Sequence, residues 1–230
     1  SMARSLYREW FIHFRYPGRE SVPLVPSPLG PIPKGWEVTT FGELYKTGSG
    51  GTPSRTRPEY YENGTIDWVK SQELLDSFII STEERITERA LKESSAKLFP
   101  ANAVLIALYG ATIGKLAILS RAAATNQACC AVLPKRSAFG REFAFLTLLL
   151  NRERIIGLRL GAAQQNISQV LLRHLECIKP PDILVSQFSE LTAPLFDEFL
   201  TLQRQIQNLR QTRDLLLPRL LSGQINLAEN

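Results

Sequence analysis

"ILVSQFSELTAPLFDEFLTLQRQIQNLRQTRDLLLPRLL", residues 183–221, repeats its apolar side chains with a period of seven. Phe188, Leu195, Leu202, Leu209 and Leu216 stand seven apart, and four residues after each come Thr192, Phe199, Ile206, Arg213 and Leu220. A spacing of 3.5 residues keeps one narrow stripe of a helix turned toward a partner helix. The alternative is a surface helix packed on its own domain, whose apolar stripe is ordinarily wider. Coiled-coil contacts are expected at Phe188, Leu195, Phe199, Leu202, Ile206, Leu209, Leu216 and Leu220. Pro194 should kink or restart this helix, and Pro218 should disturb its last turn. The uninterrupted run from Leu195 to Leu217 is ~35 Å long at ~1.5 Å per residue, enough for a rigid spacer.

The chain ahead of this helix reads differently. Residues 3–15, "ARSLYREWFIHFR", place Leu6, Tyr7, Trp10, Phe11 and Phe14 on one helical face that needs cover, and Pro17-Gly18 ends the helix. Residues 21–33, "SVPLVPSPLGPIP", carry five prolines and suit a stiff linker or a strap across a surface. From Trp36 to Pro181, short β-like runs ("IDWV" 66–69, "AVLIAL" 103–108, "KLAIL" 115–119, "ACCAVL" 128–133) alternate with turn clusters, while "REFAFLTLLL" (141–150) has the length of a buried helix. The fold class is α+β: a mixed α/β domain, then a long helix, with a short helix in front.

Composition narrows the function classes. With 230 residues, 44% hydrophobic and 21% charged, the chain can bury a core, and no apolar run approaches the ~20 residues of a membrane span. The opening "SMARS" lacks a signal-peptide-like apolar stretch and reads as a cloning remnant, so the cytoplasm is the expected compartment. Three cysteines, two of them adjacent, form neither a disulfide framework nor a CxxC site and read as buried small hydrophobes; two histidines far apart give no zinc spacing. Residues 1–181 hold 23 Lys and Arg against 16 Asp and Glu, whereas residues 182–230 hold 4 against 6. The positive charge belongs to the body, as in a globular nucleic-acid reader, although an ordinary basic protein would show it too.

Catalytic motifs fail one by one. In "GATIGK" (110–115) the glycines are too close for a phosphate loop, and Leu116 stands where Ser or Thr should meet magnesium. "GSGG" (48–51) lacks dinucleotide-fingerprint spacing and suits a tight turn. There is no GxSxG elbow, no NPPY-like methyl-transfer tetrapeptide, and no lysine preceded two residues earlier by a carboxylate. What remains is polar loops. "TGSGGTPSRTRPEYY" (47–61) offers exposed glycine N–H groups, Thr52, Ser54, Arg55 and Arg57 for phosphate anchoring. Lys70, Ser71, Gln72, Tyr109, Thr112, Lys115, Asn126 and Gln127 fall at or beyond strand ends, where amides suit adenine edges and cations suit guanine. In "GAAQQNISQ" (161–169) a turn should end one helix and cap the next through Asn166 or Ser168, with Gln165 a further possible DNA contact.

Several strings together carry a resemblance: "GPIPKGWEVTTFGEL" (30–44), "SGGTPSRTRPEYYENGTIDWVKSQEL" (49–74), "ITERALKESSAKLFPANAVLIALYGATIGKLAIL" (86–119), "TNQACCAVLPK" (125–135), "GAAQQNIS" (161–168) and "LECIKPP" (175–181). In this order they resemble half of the specificity subunit of a type I DNA restriction-modification enzyme. The resemblance implies an N-terminal helix ending a preceding conserved region (1–20), a target recognition domain with a Pro-rich lead-in (21–181), a conserved coiled-coil spacer helix (182–222) and a tail (223–230). It also implies a non-catalytic reader of one half of a bipartite double-stranded DNA target, docking adenine methyltransferase subunits and, through them, the restriction subunit. S-adenosylmethionine, ATP and magnesium would belong to those partners. With one recognition domain where a full subunit has two, a homodimer through the C-terminal helix is a further expectation. The competing class is a coiled-coil adaptor that reads no DNA.

Overall fold

In the computed structural model, which describes residues 2–157, 166–222 and 224, the heptad segment is one helix, α7 (Asp182–Leu221), ~60 Å long. It runs through Pro194, correcting the expected restart. A proline inside a helix loses one N–H bond and crowds the preceding turn. Here tertiary contacts hold the path on both sides of it: Phe188, Thr192 and Phe196 are buried in the domain, and Arg141 pairs with Asp197. Pro218 also lies inside the helix, and the Ser222 N–H closes the end on the Pro218 carbonyl at 3.0 Å.

The seven-residue repeat serves two environments. Phe188 and Thr192, its first rungs, are fully buried in the chain's own core, so Phe188 is not an open seam contact. Its ring lies 5.0 Å from Phe11, 5.9 Å from Tyr7, 6.0 Å from Trp10 and 6.4 Å from Phe143. Leu195 is half-buried, whereas Phe199, Leu202, Ile206, Leu209, Leu216 and Leu220 are exposed. Phe199 still meets its own domain, its ring 6.2 Å from that of Phe78, so the open seam starts beyond it.

The aromatic face of the N-terminal segment finds its cover at this same place. α1 (Met2–Tyr7) continues as one wider π-helical stretch, Arg8–Ile12, and Tyr7, Trp10 and Phe11 are buried against α7 and α4 (Arg141–Leu150). α4 has the bounds its sequence gives and stays buried along most of its length because it covers a sheet.

That sheet has five strands in the order β4 (Tyr45–Ser49), β12 (Cys129–Pro134), β9 (Val104–Ala107), β10 (Leu116–Leu119), β6 (Ser77–Ile79), antiparallel except for β10–β6. A second sheet has the order β7 (Glu84–Ile86), β5 (Ile66–Val69), β11 (Ala123–Thr125), β8 (Leu98–Phe99). Alternation along β9 and β12 builds two cores. Val104, Ile106, Cys130 and Val132 face the helices, while Leu105, Ala107, Cys129 and Ala131 face Val69 and Phe99 of the second sheet. Small residues dominate that inter-sheet face, so the continuous apolar runs reflect burial on both sides. Cys129, Cys130 and Cys177 are buried and unbridged, and burial pushes the Cys130 and Cys177 thiols up to about 12.

The Pro-rich segment is more ordered than a linker: β1 (Leu24–Val25) and β2 (Ile32–Pro33) pair antiparallel, and Ile32 is buried. β3 (Glu37–Thr40) pairs with β13 (Glu176–Lys179), which leads directly into α7. Short helices α2 (Phe41–Leu44), α3 (Glu88–Glu93), α5 (Arg152–Gly157) and α6 (Gln169–Arg173) fill the connections. The expected cap of the helix after "GAAQQNIS" is Ser168, whose hydroxyl accepts from the Leu171 N–H at 3.1 Å. No described helix is long and apolar enough to cross a membrane.

Phe188 and Leu209 share the heptad register but not the environment. Phe188→Ala should lose about 3–5 kcal/mol of unfolding free energy through cavity formation, and Leu209→Ala about 0.5 kcal/mol or less. Equal urea midpoints for the two variants would refute the division of the helix.

Candidate nucleic-acid interface

Strand direction decides which loops meet. β4 ends at Ser49 opposite Cys130, β12 begins at Cys129 opposite Ala107, the last residue of β9, and β11 runs parallel to β5 so that Thr125 lies beside Val69. Cross-links confirm that these ends share one side of the domain. The Asn126 N–H donates to the Val69 carbonyl at 2.9 Å, Leu108 N–H to the Ala128 carbonyl at 2.9 Å, and Ile167 N–H to the Leu108 carbonyl at 2.9 Å.

Several sequence candidates converge at that end. The Thr52 hydroxyl donates to Gln127 Oε1 at 2.6 Å, and burial raises the Tyr109 pKa. Gln127 is exposed and Tyr109 half-buried, so this end presents an amide held by Thr52 and an aromatic ring. Asn126 Oδ1 accepts from the Ala128 N–H at 3.1 Å and shapes the turn that carries Gln127. Ser71 and Gln72 sit on the 3-10 turn that follows β5, Gln72 exposed. Thr112 and Lys115 belong to the β9–β10 turn, where Gly110 and Gly114 take left-handed φ values of +79° and +78°.

The cations behave differently from the amides. Arg55 stacks over Tyr61 at 4.4 Å, lies 5.2 Å from the Trp68 ring, and donates to both oxygens of Glu84. Lys70 bonds Glu83 at 2.7 Å and Glu84 at 2.9 Å, with its side chain only 16% exposed. Arg57 is turned toward α3: it pairs with Glu59 and Glu93 and covers the Tyr60 ring at 4.3 Å. Lys115 stands 3.5 Å from Asp76 with half its side chain exposed. An exposed ion pair contributes only about 0–1 kcal/mol, so Lys115 can exchange its carboxylate for a phosphate. Arg55 and Lys70 share one carboxylate beneath an aromatic wall and brace the loop itself. Ser54 bonds Thr56 at 2.8 Å on that same loop.

The glycines of "GSGG" serve packing, which corrects their reading as open N–H donors. A Cβ on Gly50 would lie 2.1 Å from the Thr125 carbonyl oxygen, and one on Gly51 2.0 Å from Ser95 Oγ. Gly51 is buried, and its carbonyl accepts from Trp68 Nε1 at 3.1 Å. Two residues not among the sequence candidates join the same end: Gln169 donates to Ser49 Oγ at 3.0 Å across 120 positions of chain. Nothing in a local pattern marks such a pair. Gln165 lies outside the described residues.

Glu84 ties Arg55 and Lys70 together, and the Arg55 hydrogen bond, followed by that from Lys70, holds its carboxyl at about 2, below the ordinary 4.5. A depressed carboxyl stabilises the fold above its unfolded value and loses that contribution as pH falls through the folded one. Glu84→Gln should therefore lower the melting temperature at pH 7, and the gap to the unsubstituted protein should close between about pH 4.5 and about pH 2. A gap independent of pH would rule out this brace.

Comparison with known proteins gives the geometry its context. The model of the type I restriction modification DNA specificity domain matches residues 33–183. The chain is 27% identical over 233 residues to the type I restriction enzyme MjaIX specificity subunit of Methanocaldococcus jannaschii, covering 99% of this chain and 53% of that protein. It is 38% identical over 101 residues to the EcoR124I/EcoR124II specificity subunit of Escherichia coli, covering 43% of this chain and 25% of that one. Among solved structures, the HsdS subunit from Thermoanaerobacter tengcongensis superposes with a TM-score of 0.57 at 17% identity, over 88% of this chain and 44% of that one. The chain thus spans about half or less of the length of these relatives. With two thirds of its residues inside the matched domain, the chain belongs to the type I restriction-modification DNA specificity family.

Proposed function

We propose that this chain is a non-catalytic DNA reader that recognises one half of a bipartite double-stranded target. The observation that carries the reading is the sheet end at which Thr52, Tyr109, Asn126 and Gln127 meet, inside the matched specificity domain. The amides of Asn126 and Gln127 donate and accept hydrogen bonds but are neither acids nor bases near neutral pH, which suits base-edge recognition and not bond making. Gln127, held from behind by Thr52, is the amide best placed to read a base edge. Lys115, Ser71, Gln72 and Thr112 flank it for backbone contacts.

In this reading residues 21–181 form the recognition domain, residues 1–20 end a preceding conserved helix, and 182–222 are the spacer. The open seam from Leu202 to Leu220 pairs with a second helix, from another recognition half or a second copy of this chain, and the assembly docks adenine methyltransferase and restriction subunits. The methyl donor, ATP and magnesium reside on those partners, in the cytoplasm.

Co-expression with the methyltransferase subunit, followed by mapping of adenine methylation, tests the assignment. A two-part motif that appears only with this chain supports it, and a palindromic one identifies a paired second copy. Unchanged methylation in a complex shown by its size to have assembled counts against it. Gln127→Ala should cost roughly 1–3 kcal/mol of affinity for the mapped site and leave non-specific binding intact. Leu202→Asp should lower the solution mass of any assembly held by the seam, and an unaltered mass excludes seam pairing.

A further inference from the structure

On the second sheet, one buried carboxylate holds two arginines. Asp67 in β5 is 4% exposed and accepts from Arg85 Nε at 3.1 Å and from Arg121 Nε. One guanidinium would neutralise this carboxylate, so the second leaves the trio with net positive charge. Both arginines engage through Nε alone, and among the described residues their terminal nitrogens enter no other ion pair. The two side chains are 51% and 54% exposed and border an open cleft of about 360 Å³ that Thr65, Leu98 and Ala122 complete. The nearest acidic neighbours along β7 are occupied elsewhere: Glu84 by Arg55 and Lys70, Glu83 by Lys70.

A guanidinium fixed at Nε presents its two remaining nitrogens as a fork matched to phosphate oxygens. We propose that Arg85 and Arg121 form a phosphodiester clamp for the DNA backbone. This rests on the DNA-reading assignment above. Asp67 precedes Val69, the last residue of β5 on the reading side, by two positions, or ~7 Å of strand, and the cleft beside the arginines lies toward the starts of β5 and β11, so the clamp stands back from the reading loops. The contact is independent of sequence, and Asp67 is a positioning residue that touches no ligand.

Fluorescence anisotropy of the full chain with a labelled duplex of arbitrary sequence, titrated across salt, separates the possibilities. Arg85→Gln and Arg121→Gln should each weaken binding roughly tenfold at low salt and flatten the slope of log affinity against log salt by about 0.9, the double variant by about twice that. Asp67→Asn breaks the same ion pairs but keeps both cations, so its slope should be undiminished. A double variant that melts cooperatively yet keeps the original slope overturns the clamp, as does an Asp67→Asn variant whose slope flattens as much as that of the arginine variants. Added inorganic phosphate is the second arm: if it raises the melting temperature of the unsubstituted chain but not of the double variant, with DNA slopes unchanged, the ligand is free phosphate and the backbone assignment falls. If the unsubstituted chain binds no duplex at all, the reading function and the clamp both fail, an outcome distinct from an unchanged slope in a chain that binds.

Discussion

The ring of Phe188 packs among Tyr7, Trp10, Phe11 and Phe143, and this cluster ties three segments distant in sequence into one body. Aromatic rings bury large areas in edge and tilted arrangements, so a single cluster can fix the N-terminal helix, α4 and the root of α7 at once. The rest of α7 inherits its direction from that root. Along its middle, Gln203 accepts from the Phe78 N–H at 3.2 Å and Gln207 donates to Ser81 at 2.8 Å. Gln203 occupies the open edge of β6, Gln207 holds the loop that follows it, and together they fix the helix beside the sheet before it leaves the domain. A rod fixed at its root and along its middle can transmit a defined separation to whatever pairs with its open seam.

The net charge of +5 describes the chain less well than the disposition of its cations. Arg55, Arg57 and Lys70, the cations most conspicuous in the sequence, all face carboxylates of their own domain. They shape loops. The groups that face outward at the reading end are mainly neutral, with Lys115 as the exchangeable charge, and the surplus charge of the Asp67 trio stands back from it. Under the proposed function, such an arrangement would separate two tasks: amides and hydroxyls to discriminate between bases, and cations placed behind them to supply affinity.

Local pattern determined much of this protein by itself. Period seven announced a long helix, the short apolar runs announced strands, and the run from Arg141 to Leu150 announced a buried helix, because each depends only on the pattern of neighbours along the chain. The ordered strings from Gly30 to Pro181 carried the family. Tertiary structure alone decided the remainder, since it turns on residues distant in sequence. Whether a heptad rung meets a foreign helix or its own core depends on what packs beside it, and so Phe188 is buried while Leu209 is open. Whether an arginine is available depends on a carboxylate 29 positions away for Arg55 and 54 positions away for Arg121. Pro194 remained helical because packing on both flanks outweighed one lost hydrogen bond, a balance that no local rule contains.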